Sequence, residues 1–483
     1  MSAIDYAIFA AYMVGILWVG YYHFKRNKDA EDYYVGGRNV SAGHVGLSVV
    51  ATDVGGGFSI GLGGLGFALG LSASWLLFTG LIGAWLSAVF IIPIVKKEDS
   101  RLGYLTYPDF LRTRFGDKVA LVVAVVSALG YLGFTGGQVL AGAKLSAGTL
   151  FREAPGGFAS VNFSILVIGF IIVAYTVLGG LKAVIYTDTV QWIVLLFGLI
   201  FLAIPFSVYE IGGVEALMDA LPARFYRLDN VSWSQVVEWT VTVIPIWVVA
   251  MTLYQRIYAC KDTKSARRAW FIAGAFEYPV MAFMGAFLGM CARILFEDID
   301  PEMGIPILIG EVLPVGLAGI VAAAYFSAIM STADSCLIAS SGNIVGDVVR
   351  RHIAPNLTDK GEMRLSQVMT LVLGVIAMLL AWVAAQRGGV LDAILYAYSF
   401  MVSALFVPTL GAYFWKKSSP AGAMAGILVG GTTTLVLSLF SVTLPWGLPA
   451  TAFGIAASAA AFVSLTYLVP KGTTSSRRGQ CSL

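Results

Sequence analysis

VGLSVVATDVGGGFSIG, residues 45–61, sets Thr52 and Asp53 against three successive glycines inside a segment otherwise apolar enough to cross a membrane. Each glycine weakens a helix by ~1 kcal/mol relative to alanine, so the stretch predicts a discontinuous helix. A break frees backbone carbonyls, and a bilayer tolerates those only where they line a cavity or bind a cation. The competing reading, that Gly55, Gly56 and Gly57 merely permit close helix contact, leaves Thr52 and Asp53 unexplained.

The rest of the chain supports a membrane setting. Of 483 residues, 58% are hydrophobic and 12% charged, against about 25% charged in soluble domains. Thirteen apolar windows are read, near 3–24, 42–70, 72–95, 119–150, 161–179, 183–208, 236–259, 269–296, 314–349, 367–386, 389–415, 420–441 and 448–470. The first, with no basic residue ahead of it, reads as a retained span rather than a cleaved signal. No stretch between windows is long enough for a soluble domain. No GxxxxGK[ST] loop is present, so an enzyme that hydrolyses ATP is not expected and transport would draw on an ion gradient. Four scattered cysteines and three histidines support no disulfide framework, zinc or haem. A net charge of +3 says little about partners, and no nucleic acid is expected.

With residue 1 outside, 25 of the 31 Lys and Arg fall on inner segments: Lys25–Arg38, Lys96–Lys118, Lys182, Arg256–Arg268, Arg350–Arg364, Lys416–Lys417 and Lys471–Arg478. The positive-inside rule therefore predicts the N-terminus out and the C-terminus in.

Polar groups inside spans are costly and mark function. In the ninth window, Ala328, Ser331, Thr332 and Ser335 share one helical face and Asp334 lies three residues after Ser331. Such an oxygen stripe, facing freed carbonyls of Ala51 and Val54, suits a hard cation such as sodium. Back-bonding of hydroxyls to the preceding turn explains any one of these residues but fits the group poorly. Asp188, near the start of the sixth window, reads equally as a helix cap or an ion ligand. In the seventh window Pro245 is expected to kink or break the helix. A break there would lie five spans after the first, the spacing of an inverted repeat.

Several segments together are similar to the sodium:solute symporter family: Asp32-Tyr33-Tyr34-Val35-Gly36-Gly37-Arg38, Ala51-Thr52-Asp53, Tyr175 to Leu181 with Thr187 to Gln191, Gln255-Arg256, and Met330 to Ser335, in family order. The resemblance covers about residues 1–420. It implies an all-α membrane protein with a LeuT-type 5+5 inverted-repeat core, one extra N-terminal span and two extra C-terminal spans, thirteen in all. The division is then 1–41 (first span and cytoplasmic loop), 42–208 and 236–416 (the repeats), 417–470 (two spans) and 471–483 (tail).

By position, the family's common sodium site falls on backbone oxygens of Ala51, Val54 and Ala328 and the hydroxyls of Ser331 and Thr332. A second sodium site, found in some members, would fall on Asp188, Ser331, Asp334 and Ser335; one of the acids there could instead carry a proton. Asp53 matches the sodium/proline branch, while Val54 to Gly57 looks more like the choline branch. A carboxylate at that place would meet an ammonium, cap the half-helix, or organise the sodium shell. Phe58, Gln138, Trp247 and Tyr254 are the expected cavity neighbours. The expectation is a sodium-coupled symporter of a small organic solute, an amino acid or other amine, acting as a monomer in the cytoplasmic (inner) membrane. The rivals are a non-transporting sensor on the same scaffold and a passive channel.

Overall fold

The computed structural model describes residues 1–24, 35–153, 160–178, 181–440 and 442–469. Outside them lie Asp32, Tyr33 and Tyr34 of the first motif, Lys25, Arg26 and Lys28, Gly179 and Gly180, and the tail 471–483 with Cys481. The described elements are helices, with one isolated bridge between Val40 and Cys260.

Helix α1 (Ala3–Phe24) is followed by α2 (Ala42–Asp53) and α3 (Gly55–Leu69), which meet at Val54. The next run is α4 (Trp75–Leu86) and α5 (Ile92–Leu102), then a short α6 (Tyr107–Phe115) and the long α7 (Asp117–Gly148). After α8 (Val161–Leu178) come α9 (Leu181–Phe197), α10 (Ile204–Ile211) and α11 (Val214–Ala220). A second broken pair, α12 (Trp233–Val249) and α13 (Met251–Ala259), bends by 44° at Ala250. The chain continues through α14 (Thr263–Phe276), α15 (Phe283–Leu295), α16 (Gly304–Val312), α17 (Leu317–Gly342), α18 (Asp359–Arg387), α19 (Val390–Phe414), α20 (Pro420–Leu439) and α21 (Ala450–Leu468).

Among the described residues nine helical runs are long and apolar enough to cross a membrane, ten with the bent pair, and α1 and α8 are shorter apolar helices. The protein is an all-helical, multi-pass membrane protein. Wide π-helical turns join α4 to α5 (Ser87–Ile91), α9 to α10 (Gly198–Ala203) and α14 to α15 (Glu277–Ala282). The third contains Pro279, and the first two end two residues before Pro93 and Pro205. Proline removes one amide donor and crowds the preceding turn, and widening the helix absorbs both effects without ending it.

Small residues bring the helices together. A Cβ on Gly66 would sit 2.3 Å from the Ala286 oxygen, and one on Gly289 would sit 2.1 Å from that of Gly63, so α3 and α15 touch backbone to backbone. Asp5 ties α1 to the bundle, its Oδ1 accepting the amides of Gly316 and Gly319 at 2.7 and 2.9 Å at the start of α17. Near one end of the bundle Lys144 pairs with Asp300 and Glu302 at 2.6 and 2.7 Å, and Glu302 caps α19 through the amides of Val390 and Leu391. Towards the other end rings close the interior, with Tyr107 4.8 Å from Tyr254 and Phe110 stacked 4.5 Å from Tyr413.

Candidate functional site

The first predicted break is present. Gly55 has φ +42°, a left-handed conformation open to glycine and strained for a side chain. A Cβ there would also stand 2.5 Å from the Thr332 hydroxyl, so the break is pressed directly onto α17. The Thr332 Oγ1 lies 3.1 Å from both the Ala51 and the Ala328 carbonyl oxygens. Bonding to Ala328 is what a threonine does within its own helix; bonding to Ala51 crosses between helices and satisfies a carbonyl near the break. Val54 forms the break itself. Ser331 stands one residue before Thr332, its hydroxyl donating to Asp188 Oδ1. The atoms that meet the Thr332 hydroxyl are carbonyl oxygens, the donor type a hard monovalent cation takes.

Asp188 is no interfacial cap. It lies inside α9, fully buried, and accepts hydrogen bonds from Ser331 and Ser48. The guanidinium of Arg256, also fully buried, reaches Asp188 at 3.4 Å, Ser48 at 3.0 Å, Ser335 at 3.1 Å and Thr52, and donates to the Thr252 carbonyl at 3.2 Å. One side chain thus ties α13 to α2, α9 and α17. Of the four residues expected at a second sodium site, Asp188 and Ser335 contact this cation and Ser331 bonds to Asp188. Asp334 turns instead to Thr176 of α8 through Oδ1, and its Oδ2 has no partner among the described residues.

The second break falls at Ala250, five residues beyond Pro245, which sits within an unbroken α12. Proline costs that helix one bond, whereas at Ala250 the exposed groups find side-chain partners. The Trp247 carbonyl accepts from Ser87 at 3.0 Å, the Val248 carbonyl from Tyr254 at 2.8 Å, and the Tyr131 hydroxyl accepts the Thr252 amide at 3.0 Å.

Between the two breaks lies a small cavity lined by Thr52, Asp53, Ala250 and Thr252 with Tyr131, Phe134 and Tyr398, roomy enough for about one water molecule. Asp53 is thus one of the cavity's lining residues. Phe58 backs the cavity, 5.9 Å from Tyr398 and 6.4 Å from Phe134. Gln138 braces the break, its Oε1 accepting the Gly57 amide at 3.1 Å while its Nε2 has no partner among the described residues. Trp247 turns away onto α4 against Gly83, and Tyr254 belongs to the aromatic layer with Tyr107 and Tyr413. These two do not line the cavity.

Sequence reasoning gave no role to Arg256, Tyr131, Tyr398 or Glu277. Arg256 was visible as a base at the end of an apolar window, and Glu277 as an acid inside one, two residues before Pro279. The two tyrosines carried no signal, since an aromatic residue in a membrane helix is ordinary packing.

The broken helices, with oxygens gathered against one of them, define a secondary transporter. The Sodium:solute symporter family profile matches residues 33–430, and the chain belongs to that family. It is 29% identical over 438 residues to the high-affinity proline transporter PutP of Bacillus subtilis, covering 87% of this chain and 89% of the relative. It is 29% identical over 495 residues to the rabbit (Oryctolagus cuniculus) sodium/myo-inositol cotransporter 2, covering 91% of this chain and 70% of that one. A solved structure, the substrate-bound outward-open state of a Na+-coupled sialic acid symporter, shares the fold with TM-score 0.79 at 21% identity, over 97% of this chain and 98% of the other. The protein is a sodium-coupled solute symporter, and sodium is its ion.

Proposed function

We propose that the protein carries a small amine-bearing solute inward with sodium by alternating access, as a monomer in the cytoplasmic membrane. The observation that carries this reading is the Thr332 hydroxyl held between the carbonyls of Ala51 and Ala328. Sodium bound by Ala51, Val54, Ala328, Ser331 and Thr332 would fix the broken α2/α3 pair to α17 and preform the cavity beside it. Ion and solute then favour one another reciprocally.

Thirteen spans, N-terminus outside and C-terminus inside, are the topology we infer. Support comes from α1, α8 and the bent pair standing beside the nine long apolar runs, one of which, Gly57–Leu102, is 46 residues long and takes in both α3 and the α4/α5 helix, and from the break at Val54 and the bend at Ala250 lying in corresponding places of residues 42–208 and 236–416. Residues 1–41 precede these repeats, and 417–470 and 471–483 follow them.

Asp53 supports the amine reading. It faces a cavity whose other walls include the rings of Tyr131, Phe134 and Tyr398 and the hydroxyls of Thr52 and Thr252 beside Ala250, Leu253 and Cys336, and a carboxylate with aromatic faces suits a cationic nitrogen. The sequence likeness to a proline transporter agrees with it. The test is competition by a panel of solutes for sodium-dependent binding to the purified protein. Proline and related amines should compete, and displacement by myo-inositol but by no amine would refute the amine reading.

A further inference from the structure

The buried bases of the described residues are committed to acids. Lys96 pairs with Asp99, Lys144 with Asp300 and Glu302, and Arg256 with Asp188. Two buried acids that face one another are left without a cation. Glu277, fully buried in the π-helical turn between α14 and α15, receives no hydrogen bond from a donor group of the described residues at either carboxylate oxygen. Its side chain lies within hydrogen-bonding reach of Asp53, whose other neighbour is the Tyr398 hydroxyl. The carboxylate is seated on Gly80 of α4, where a Cβ would stand 1.7 Å from Oε1, so a larger residue at position 80 would displace it from its present place.

Two carboxylates brought together away from water repel one another, and each carries a large desolvation cost unless a cation sits with them. We propose that Asp53 and Glu277 together hold a second sodium ion, separate from the one held by backbone oxygens and hydroxyls against Thr332. Glu277 does not line the cavity, so an organic solute would not reach it, whereas a single desolvated ion fits between acids. Carboxylate and tyrosine oxygens are the donors a hard cation takes. The pair keeps one net negative charge once sodium is bound, and Asp53 presents it to the cavity. The inference rests on sodium being the coupled ion and not on the amine reading of the solute.

The experiment is equilibrium binding of radioactive sodium to the full chain in lipid nanodiscs with no solute present, counted as ions per chain. The wild type should bind two, Glu277→Gln one, and Thr332→Ala should lose the other ion independently, so failure at either site is read separately. Glu277→Asp should keep two ions and weaken one at least tenfold, which gives a second reading if Glu277→Gln does not fold. A wild-type count of one overturns the proposal. So do two ions retained in Glu277→Gln, and an unchanged affinity in Glu277→Asp.

Discussion

The Thr332 hydroxyl donates to the Ala51 carbonyl across 3.1 Å, joining α17 to the last turn of α2 before the chain breaks. At the proposed sodium site, removing that oxygen would remove a direct ligand. Thr332→Ala is expected to raise the sodium concentration for half-maximal uptake at least tenfold, equivalent to ~1.4 kcal/mol, and Ser331→Ala to do the same. Sodium titration of uptake checks this, and unchanged curves in both variants would remove the assigned site.

Gly55→Ala tests the break itself. The left-handed backbone costs a non-glycine residue roughly 1–2 kcal/mol, and the new methyl meets Thr332. Lower thermal stability together with weaker sodium binding is expected. A variant with wild-type sodium affinity would show that the close approach at Gly55 is dispensable.

Arg256 is the counter-charge of Asp188. Arg256→Met leaves a buried carboxylate alone and should destabilise the protein by ~3–5 kcal/mol, whereas the paired change Asp188→Asn with Arg256→Met should recover much of the loss. Denaturation midpoints of the two variants decide it. Asp334 has turned to Thr176, which an asparagine can still bond, so Asp334→Asn is expected to leave the sodium-to-solute ratio unchanged. A lowered ratio would restore Asp334 to the ion path.

Asp53→Asn preserves size and one acceptor oxygen but removes the charge facing the cavity. Breaking a pairing with a buried solute ammonium, which leaves that charge uncompensated, costs roughly 3–5 kcal/mol, so solute affinity at saturating sodium should fall more than a hundredfold. A change within about threefold, ~0.65 kcal/mol, would end the amine reading.

The helical membrane fold and the first break were legible because both rest on local chemistry: apolar windows of sufficient length, and glycines beside an acid. The gathering of Thr332 against Ala51 was legible in part, since hydroxyls at helical spacing define a face without saying what it faces. Pro245 misled as to the second break because a proline alone does not end a membrane helix. The bend lies at Ala250, where Ser87, Tyr131 and Tyr254 supply the missing bonds, and these partners are more than a hundred residues distant or invisible to periodicity. Arg256 beside Asp188, and Glu277 beside Asp53, are pairings across separate helices. Composition shows that such charges need partners but does not say which.

The central claim is that sodium drives the solute. The direct measurement is uptake of labelled proline or the best amine of the panel into proteoliposomes under an inward sodium gradient, against an equal potassium gradient. Accumulation above the outside concentration with sodium, its collapse when the gradient is dissipated, and its loss in Thr332→Ala at low sodium are the predicted results. Equal uptake under both gradients, never exceeding the outside concentration, would contradict the account.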